Sequence, residues 1–227
     1  MENGRKTKDL LYEQVARIGK VFSSPKRLEL IELLCQGSKT VETLAQEASI
    51  SLKLASAHLR ELRLAHLVET DRHGKNIYYR LADKSVAELW VHIHTLAQER
   101  LIELRLALQK IASQPSTLVP SDRESLMKAA RKGEVVVLDV RPVAEYLTAH
   151  LPFARSIPLG ELRQRLDELP MDRPIVAYCR GPYCLMAADA AALLKEHGYS
   201  AIRLHEGVAE WAVATQLGRA ETPVTLD

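Results

Sequence analysis

Apolar residues in the first part of the chain recur every three or four positions, which is the spacing of an amphipathic helix. The apolar face of the first predicted helix is formed by Leu10, Leu11, Val15, Ile18 and either Val21 or Phe22. The same pattern predicts further helices over residues 25–36, 40–48 and 52–65, with Ser24 as the cap of the second. Because only residues 49–51 separate the last two helices, we expect a tight turn between them.

The helix predicted over 52–65 has an apolar face and a basic one. Its inward positions are Ala55, Leu59 and Leu62, and its outward positions are Lys53, Ala57, Arg60 and Arg63. Two short helices joined by a tight turn form a helix-turn-helix, whose second helix enters the major groove of DNA. A hairpin is predicted to follow over 68–71 and 76–81, with the basic connection Arg72-His73-Gly74-Lys75 suited to phosphate contacts. The first half is therefore predicted to be a mainly-α winged helix-turn-helix domain.

A long helix is predicted over residues 84–112. Its apolar positions step by four and three residues: Trp90, Ile93, Ala97, Leu101, Leu104, Leu108 and Ile111. A single helix with so continuous an apolar stripe needs a partner surface. We expect a homodimer through this helix. Packing against the first helix of the same chain is an alternative, and both are compatible.

The short polar segment 113–117 is predicted to be a linker, which assigns residues 1–112 and 118–227 to two domains. Beyond it, short apolar strand patterns over 135–140, 155–157, 175–178 and 201–204 alternate with helical ones. Such alternation is typical of an open parallel sheet with helices on both faces. The second domain is therefore predicted to be of the α/β class.

Cys179 directly follows the predicted strand 175–178, and Gly181 and Pro182 separate it from a helix predicted over 185–197. Open α/β sheets bind ligands at the carboxyl ends of their strands. Free N–H groups at the start of a helix stabilise an anion there and lower the pKa of a thiol. We expect Cys179 to be a nucleophilic thiolate, and the alternative is a buried structural cysteine.

Composition narrows the class of protein. The 227 residues are 47% hydrophobic and 26% charged, which predicts two ordinary folded domains. No apolar run is as long as a membrane span, and we expect no signal peptide. The number of cysteines is odd, three, which favours the reducing cytoplasm over a secreted disulfide framework. Residues 1–113 carry 18 basic and 14 acidic residues, whereas residues 114–227 carry 13 and 15, so the first half suits a polyanionic partner.

Three stretches of the first half, residues 56–62 (SAHLREL), 67–68 (LV) and 74–81 (GKNIYYRL), resemble the ArsR-type winged-helix repressors. The resemblance covers about residues 10 to 110. It implies a homodimer that reads a palindromic double-stranded operator. The residues expected to face DNA are Ser51, Leu52, Lys53, Ala57 and Arg60, together with Arg72, His73 and Lys75 of the hairpin. Ala57 departs from the larger polar residue often found in the family, so base reading from that position is not expected.

Many ArsR-type repressors sense metals, but the ligands are missing here. The cysteine-rich metal motif of the family falls near residues 34–38, where Cys35 is the only thiol. His92 and His94 are two positions apart, so they point in different directions on a helix and are expected at a surface or an interface. We therefore expect no metal site and no cofactor.

Five segments of the second half resemble a rhodanese domain in order and spacing: 139–141, 145–146, 150–154, the loop after Cys179, and 206–211. The resemblance covers about residues 117 to 220 and implies sulfur transfer. The Cys179 thiolate would take a sulfane sulfur from thiosulfate or a persulfide and pass it on. N–H groups of the loop that runs from Arg180 through Gly181, Pro182 and Tyr183 to Cys184 would hold the thiolate and the persulfide anion. Asp139 and Arg141 are expected to support the loop through charged hydrogen bonds.

The end of the loop after Cys179 differs from the corresponding loops of phosphatases and of common rhodaneses. Leu185 occupies the position of the arginine that a phosphatase loop requires, which excludes phosphoryl transfer. Cys184 stands where rhodaneses often place a cation, and Arg180 is expected to replace that cation in part. Cys184 is either a small buried residue or a resolving thiol that forms a disulfide with Cys179.

These features together predict a cytoplasmic, homodimeric DNA-binding repressor without membrane partners, whose Cys179 takes up sulfur from small sulfur anions or low-molecular-weight persulfides. Sulfur loading would then change operator affinity. The main alternative is a regulator that senses oxidants or reactive sulfur through Cys179 and Cys184 without turnover. Two others are an enzyme that keeps the winged helix for dimerisation only, and a metalloregulator.

Overall fold

The computed structural model describes residues 2–112, 117–118 and 123–220. The chain divides into two compact units, Met1–Trp90 and Val91–Asp227, and the division falls inside one helix, Lys84–Arg100. Residues 113–116 of the predicted linker lie outside the described residues, and Thr117 belongs to a strand. The domain boundary at residue 112 stays a prediction.

The first unit is a winged helix-turn-helix, as predicted. Its helices are α1 (Glu2–Phe22), α2 (Pro25–Leu34), α3 (Val41–Glu47), α4 (Leu52–Leu64) and the first part of α5 (Lys84–Arg100). Its strands β1 (Lys39–Thr40), β2 (Val68–His73) and β3 (Asn76–Leu81) form an antiparallel sheet in the order β1-β3-β2. The predicted inward face of α4 is confirmed, because Ala55, Leu59 and Leu62 are all fully buried.

Local capping fixes the turn between α3 and α4. Thr40 Oγ1 accepts the N–H of Thr43 at 3.3 Å, and Ser51 Oγ accepts the N–H of Leu54 at 3.3 Å, so each helix begins at a side-chain cap. Ser49 adopts a positive φ of 51° in the connection. Ser24 makes no such bond, and Pro25 at the first helical position defines the start of α2 instead.

The hairpin β2–β3, called the wing below, is tighter than predicted. The strands pair as far as His73 opposite Asn76, so only Gly74 and Lys75 form the turn and Arg72 and His73 lie in β2. Gly74 has a φ of +62°, which a two-residue hairpin turn requires. The short strand β1, which pairs with Tyr78 and Tyr79, was not predicted because two residues show no periodicity.

The predicted helix 84–112 is present with a single irregularity. α5 ends at Arg100 and α6 (Ile102–Ala112) begins one residue later. Helical hydrogen bonds continue through the gap: Leu101 N–H donates to Ala97 at 2.8 Å, and Arg105 N–H donates to Leu101 at 3.2 Å. α5 and α6 therefore form one nearly continuous helix. No helix in the described part of the chain is both long and apolar enough to cross a membrane.

The second unit contains a five-stranded parallel sheet in the order β4-β8-β7-β5-β6. The strands are β4 (Thr117–Leu118), β5 (Val136–Asp139), β6 (Arg155–Ser156), β7 (Ile175–Tyr178) and β8 (Ala201–Leu204). The helices are α7 (Arg123–Arg131), α8 (Val143–Thr148), α9 (Leu159–Leu162), α10 (Met186–Glu196) and α11 (Val208–Ala220). The predicted α/β class is confirmed, and β4 was not predicted.

Each face of this sheet carries its own apolar core. Leu162 of α9 and Leu194 of α10 pack on one face, and Trp211 of α11 packs on the other. The central strand β7 is buried along its whole length, so it reads as a continuous apolar run. In the register of β5 and β7, Asp139 pairs with Tyr178. Cys179 therefore leaves the sheet at its centre, next to the end of β5.

Candidate functional site

The loop 179–184, called the Cys179 loop below, connects the buried end of β7 to α10. Cys179 is 1% exposed, whereas Cys184 is partly buried and packs against the same core. Cys179 Sγ donates to the carbonyl oxygen of Cys184 at 3.5 Å, and its thiol also hydrogen-bonds with the Cys184 side chain. The two thiols that were five residues apart in sequence thus form one pair.

Backbone N–H groups surround this pair from both sides. The N–H groups of Gly181 and Ala187 point to Cys179, and those of Arg180 and Met186 point to Cys184. Two of these belong to the loop and two to the first turn of α10, where the helix dipole adds to the field. Of the predicted loop donors, Arg180 and Gly181 point to the thiols, and the other two donors belong to the helix.

The pKa values of the two thiols are shifted in opposite directions. Burial, followed by the Cys184 thiol, raises the pKa of Cys179 well above its ordinary value. The hydrogen bond from Cys179, and then the N–H groups of Arg180 and Met186, lower the pKa of Cys184 to about 6 despite its burial. These opposite shifts favour the proton on Cys179 and the negative charge on Cys184 in the unmodified protein, whereas the sequence predicts the thiolate at Cys179.

Two glycines allow the loop to pack against the turn that precedes α11. A Cβ on Gly207 would lie 2.4 Å from the carbonyl oxygen of Arg180, so only glycine fits there. Gly181 has a φ of +148°, and its α-carbon faces the carboxylate of Glu210. The backbone of the Cys179 loop therefore lies so close to the turn before α11 that a side chain at Gly207 would clash with it.

Arg203 on β8 supports the loop from the sheet. It is 3% exposed, and its Nη2 donates to the carbonyl oxygens of Pro182 at 2.8 Å and Cys184 at 3.2 Å. Among the described residues its Nε has no hydrogen-bond partner. Arg203 was not predicted from the sequence as a residue of the site. An arginine inside the apolar strand 201–204 is nevertheless a signal that could have indicated it.

Arg180, which is predicted to replace the missing cation in part, is bound by a carboxylate. Its Nη2 and Nε donate to both carboxylate oxygens of Glu145 on α8, at 2.6 to 3.1 Å. Glu145 is 3% exposed, so this ion pair is nearly dry. The pair positions the loop against α8, and the Arg180 charge adds to the larger causes that lower the pKa of Cys184. The sequence did not predict Glu145 as the partner of Arg180.

Asp139 and Arg141 form a buried ion pair at the end of β5. Arg141 donates to Asp139 through its backbone N–H at 3.0 Å and Nη2 at 2.6 Å, and to the carbonyl oxygen of Ala149 at 2.7 Å. Tyr178 Oη also donates to Asp139 and accepts the N–H of Leu151. Burial and the Asp139 carboxylate raise the pKa of Tyr178. The pair thus orders the residue just before Cys179.

The residues predicted to face DNA lie on one exposed part of the first unit. Leu52, Lys53, Ala57 and Arg60 are exposed along α4, and Ser51 is exposed at its cap. In the wing, Arg72, His73 and Lys75 are exposed as well. The structure leaves all eight available to a ligand.

The candidate metal residues do not form a site. Within the described ranges, no group of three or more His, Cys, Asp or Glu side chains can hold a metal ion. Cys35, Cys179 and Cys184 are not joined in disulfides. His92 is exposed, whereas His94 is buried against Glu210, a contact that the sequence did not predict.

Comparisons with known proteins assign a family to each half. Residues 24–70 match the model of the arsR family of bacterial regulatory proteins, and residues 122–214 match the model of the rhodanese-like domain. An HTH-type transcriptional regulator of Mycobacterium tuberculosis is 41% identical over 207 residues, which are 91% of this chain and 91% of that protein.

Two further relatives each match one half. A sulfurtransferase of Allochromatium vinosum is 33% identical over 93 residues, 40% of this chain and 85% of that protein. The solution structure of a homodimeric winged helix-turn-helix DNA-binding domain from Mycobacterium bovis is 40% identical, with a TM-score of 0.40 over 42% of this chain and 89% of that one. The M. tuberculosis relative matches across both halves, so the chain is an ArsR-family transcriptional regulator with a C-terminal rhodanese-like domain.

Proposed function

We propose that this regulator acts in the cytoplasm as a homodimer on operator DNA, and that Cys179 takes up a sulfane sulfur as a persulfide that changes operator affinity. The observation that carries the proposal is the thiol pair, Cys179 with Cys184, inside N–H groups from the loop and from α10. Such a set of donors stabilises a sulfur anion on either side chain.

The loading step needs no cofactor. In the first step Cys184 acts as a base. Its thiolate takes the Cys179 proton, which leaves a nucleophilic thiolate on Cys179. That thiolate attacks the outer sulfur of thiosulfate or of a low-molecular-weight persulfide. The donor's S–S bond breaks, sulfite or a thiolate leaves with the bonding electrons, and Cys179 carries the new S–S bond. The N–H groups of Gly181 and Ala187 are placed to hold the persulfide anion.

The thiol pair also supports a second function, sensing without turnover. The Cys184 thiol, which holds the Cys179 proton after loading, can pass that proton to the outer sulfur of the persulfide and attack the inner sulfur as a thiolate. This step forms a Cys179–Cys184 disulfide and expels hydrosulfide. The electrons balance, because the persulfide sulfur is reduced to sulfide as the two cysteines are oxidised. The N–H groups of Arg180 and Met186 stabilise the Cys184 thiolate in this step.

The DNA-binding part of the proposal is supported by the exposed basic residues of α4 and the wing. The homodimer is supported by large apolar side chains that are exposed on α1: Leu10, Leu11, Tyr12 and Val15. Others are exposed along α5 and α6: Leu96, Leu101, Ile102 and Leu106. A monomer in water rarely leaves such patches uncovered, and a second copy of the chain would bury them.

Mass spectrometry of the intact protein, combined with a gel shift on DNA from upstream of its own gene, tests the proposal. After thiosulfate or polysulfide treatment, the wild-type protein should gain the mass of one sulfur atom and change its operator affinity. Cys179→Ser should do neither, and Cys35→Ser should behave as the wild type. Sulfur uptake that persists in Cys179→Ser would contradict the assignment of this residue.

Turnover separates the two functions. With thiosulfate and excess cyanide, a sulfurtransferase forms thiocyanate over many cycles. A sensor stops after one equivalent and shows the mass of a disulfide, two hydrogen atoms below that of the reduced protein. Cys184→Ser should remove the disulfide product and leave persulfide formation measurable.

A further inference from the structure

A buried imidazole and a buried carboxylate face each other in the second unit, beside the Cys179 loop. His94 Nε2 lies 3.1 Å from Oε1 of Glu210, and the two residues are 4% and 8% exposed. His94 belongs to the part of α5 that lies in the second unit, and Glu210 belongs to the first turn of α11. Burial of such groups costs free energy unless both are hydrogen-bonded, so their partners define what they do.

The carboxylate of Glu210 fixes the turn on which the Cys179 loop rests. Its Oε2 accepts the N–H of Gly207 at 2.8 Å, the reach-back bond of a helix capping box. A Cβ on Gly181 would lie 3.0 Å from Oε1 and 3.1 Å from Oε2 of the same carboxylate. Gly207 in turn packs on the carbonyl group of Arg180. Any movement of Gly181 or Arg180 therefore pushes on Glu210.

Helix α5 contacts the loop at a second point, one turn further along. Gln98 Nε2 donates to Tyr183 Oη at 3.5 Å, and the rings of His94 and Tyr183 meet edge to face at 5.7 Å. Gln98 Nε2 also lies 3.3 Å from His94 Nδ1. Because His94 and Gln98 are four residues apart, they share one face of the helix.

The hydrogen-bond directions in this cluster agree with a His94 ring that donates from Nε2 and accepts at Nδ1. The Gln98 amide has two N–H donors, one for Tyr183 Oη and one for His94 Nδ1. With its proton on Nε2, the imidazole then donates to Glu210. The cluster is a continuous chain of contacts from α5 to both ends of the Cys179 loop, to Gly181 through Glu210 and to Tyr183 directly.

We infer that His94, Gln98 and Glu210 are positioning residues that transmit the sulfur state of the Cys179 loop to helix α5. This inference rests on the proposed function. A persulfide adds a sulfur atom at about 2 Å from a Cys179 Sγ that has almost no free space around it. Close-packed interiors shift rather than compress, so the loop must move against Glu210 and Tyr183. α5 receives that movement and is continuous with the first unit at Trp90.

The test uses the full-length protein, with operator Kd measured before and after polysulfide treatment. The ratio of the two Kd values should be about 5-fold or more in the wild type, the lower range of allosteric coupling. In His94→Leu the ratio should fall to within twofold of 1, while intact mass still shows one added sulfur and the Kd of the reduced protein is unchanged. His94→Gln, which keeps a donor near Glu210, should restore most of the ratio.

His92→Ala is the matched control, since His92 is an exposed histidine on the same helix and should keep the wild-type ratio. If His94→Leu does not fold by circular dichroism, Gln98→Ala replaces it, with the same expected loss. A wild-type ratio in variants that still take up sulfur would overturn the inference alone. A wild-type protein that takes up no sulfur, or whose Kd does not respond, would remove the proposed function and this inference with it.

Discussion

The chemistry of the Cys179 loop depends on where one proton lies between two sulfur atoms. Cys179 is nearly inaccessible, and burial raises its pKa, whereas the hydrogen bond from Cys179 lowers the pKa of Cys184 to about 6. The thiol that is proposed to take up sulfur is therefore activated by its neighbour rather than by the helix field alone. This arrangement makes the thiolate of Cys184 measurable in the unmodified protein.

Replacing Cys179 by alanine should raise the pKa of Cys184, because the hydrogen bond from Cys179 is the largest cause of its depression. In the wild type, the ultraviolet absorbance of the thiolate should appear with a midpoint near pH 6. In Cys179→Ala the midpoint should move toward the ordinary thiol range of about 8.5. Cys35→Ala serves as the control, and an unchanged midpoint in Cys179→Ala would show that the pair does not share a proton.

Removing Asp139 should destabilise the second unit strongly, because it leaves the charge of Arg141 buried and unpaired. Breaking a buried ion pair from one side costs about 3–5 kcal/mol. Urea unfolding of Asp139→Ala, followed by Trp211 fluorescence in a Trp90→Phe background, measures the loss. Asp172→Ala is the control, since its pair with Arg173 is exposed. Equal midpoints for the two variants would contradict the structural role of Asp139.

At the scale of single elements, α4 and the wing carry the DNA-binding hypothesis. The buried positions of α4 are apolar and its exposed positions include Lys53 and Arg60, so the helix can present one face without disturbing its core. The cap at Ser51 serves the helix start as well as facing outward. Substitutions on the exposed face should therefore act on binding and leave folding intact.

Lys53→Ala combined with Arg60→Ala should weaken operator binding and reduce its dependence on salt. The slope of log K against log salt is negative, and each lost phosphate contact reduces its magnitude by about 0.9. The loss of four contacts in a dimer therefore reduces the magnitude by roughly three to four. Fluorescence anisotropy at several salt concentrations gives both quantities. Lys128→Ala, an exposed lysine of α7, should change neither. A weaker affinity with an unchanged slope would mean that these residues do not contact phosphates.

At the scale of the whole molecule, the apolar residues exposed on α1 predict that the chain does not act alone. Leu11 and Val15 are 62% and 70% exposed and lie four residues apart on one helix face. They belong to an apolar stripe of the kind that a second copy would bury. The dimer was predicted from the helix 84–112, and the exposed side chains of α1 add a second surface to that proposal.

Leu11→Glu combined with Val15→Glu should give a folded monomer, because two carboxylates cannot be buried in an apolar interface without partners. Sedimentation velocity measures the mass, and circular dichroism checks the helix content. Leu147→Glu is the matched control, an exposed leucine of the second unit, and it should leave the mass unchanged. A double variant that sediments with the mass of the wild type would place the interface elsewhere or exclude a dimer.

Several elements were predictable from the sequence because their causes are local. The inward face of α4 follows from a spacing of three and four residues, and β7 from an unbroken apolar run. The position of Cys179 after a central strand and before a helix follows from the same two patterns. The short strands β1 and β4 were missed, since two residues have no periodicity and depend on β3 and β8 for their hydrogen bonds.

By itself, the sequence determined the two fold classes, the order of most elements and the place of the two cysteines at the end of β7, because periodicity, caps and breaks act between near neighbours. Only the tertiary structure decided that the pKa values of the two thiols shift in opposite directions, that Arg180 is bound by Glu145, and that His94 meets Glu210 from 116 residues away. The reason is physical. A pKa and a buried hydrogen bond depend on groups that folding brings together, and their separation along the chain gives no sign of the contact.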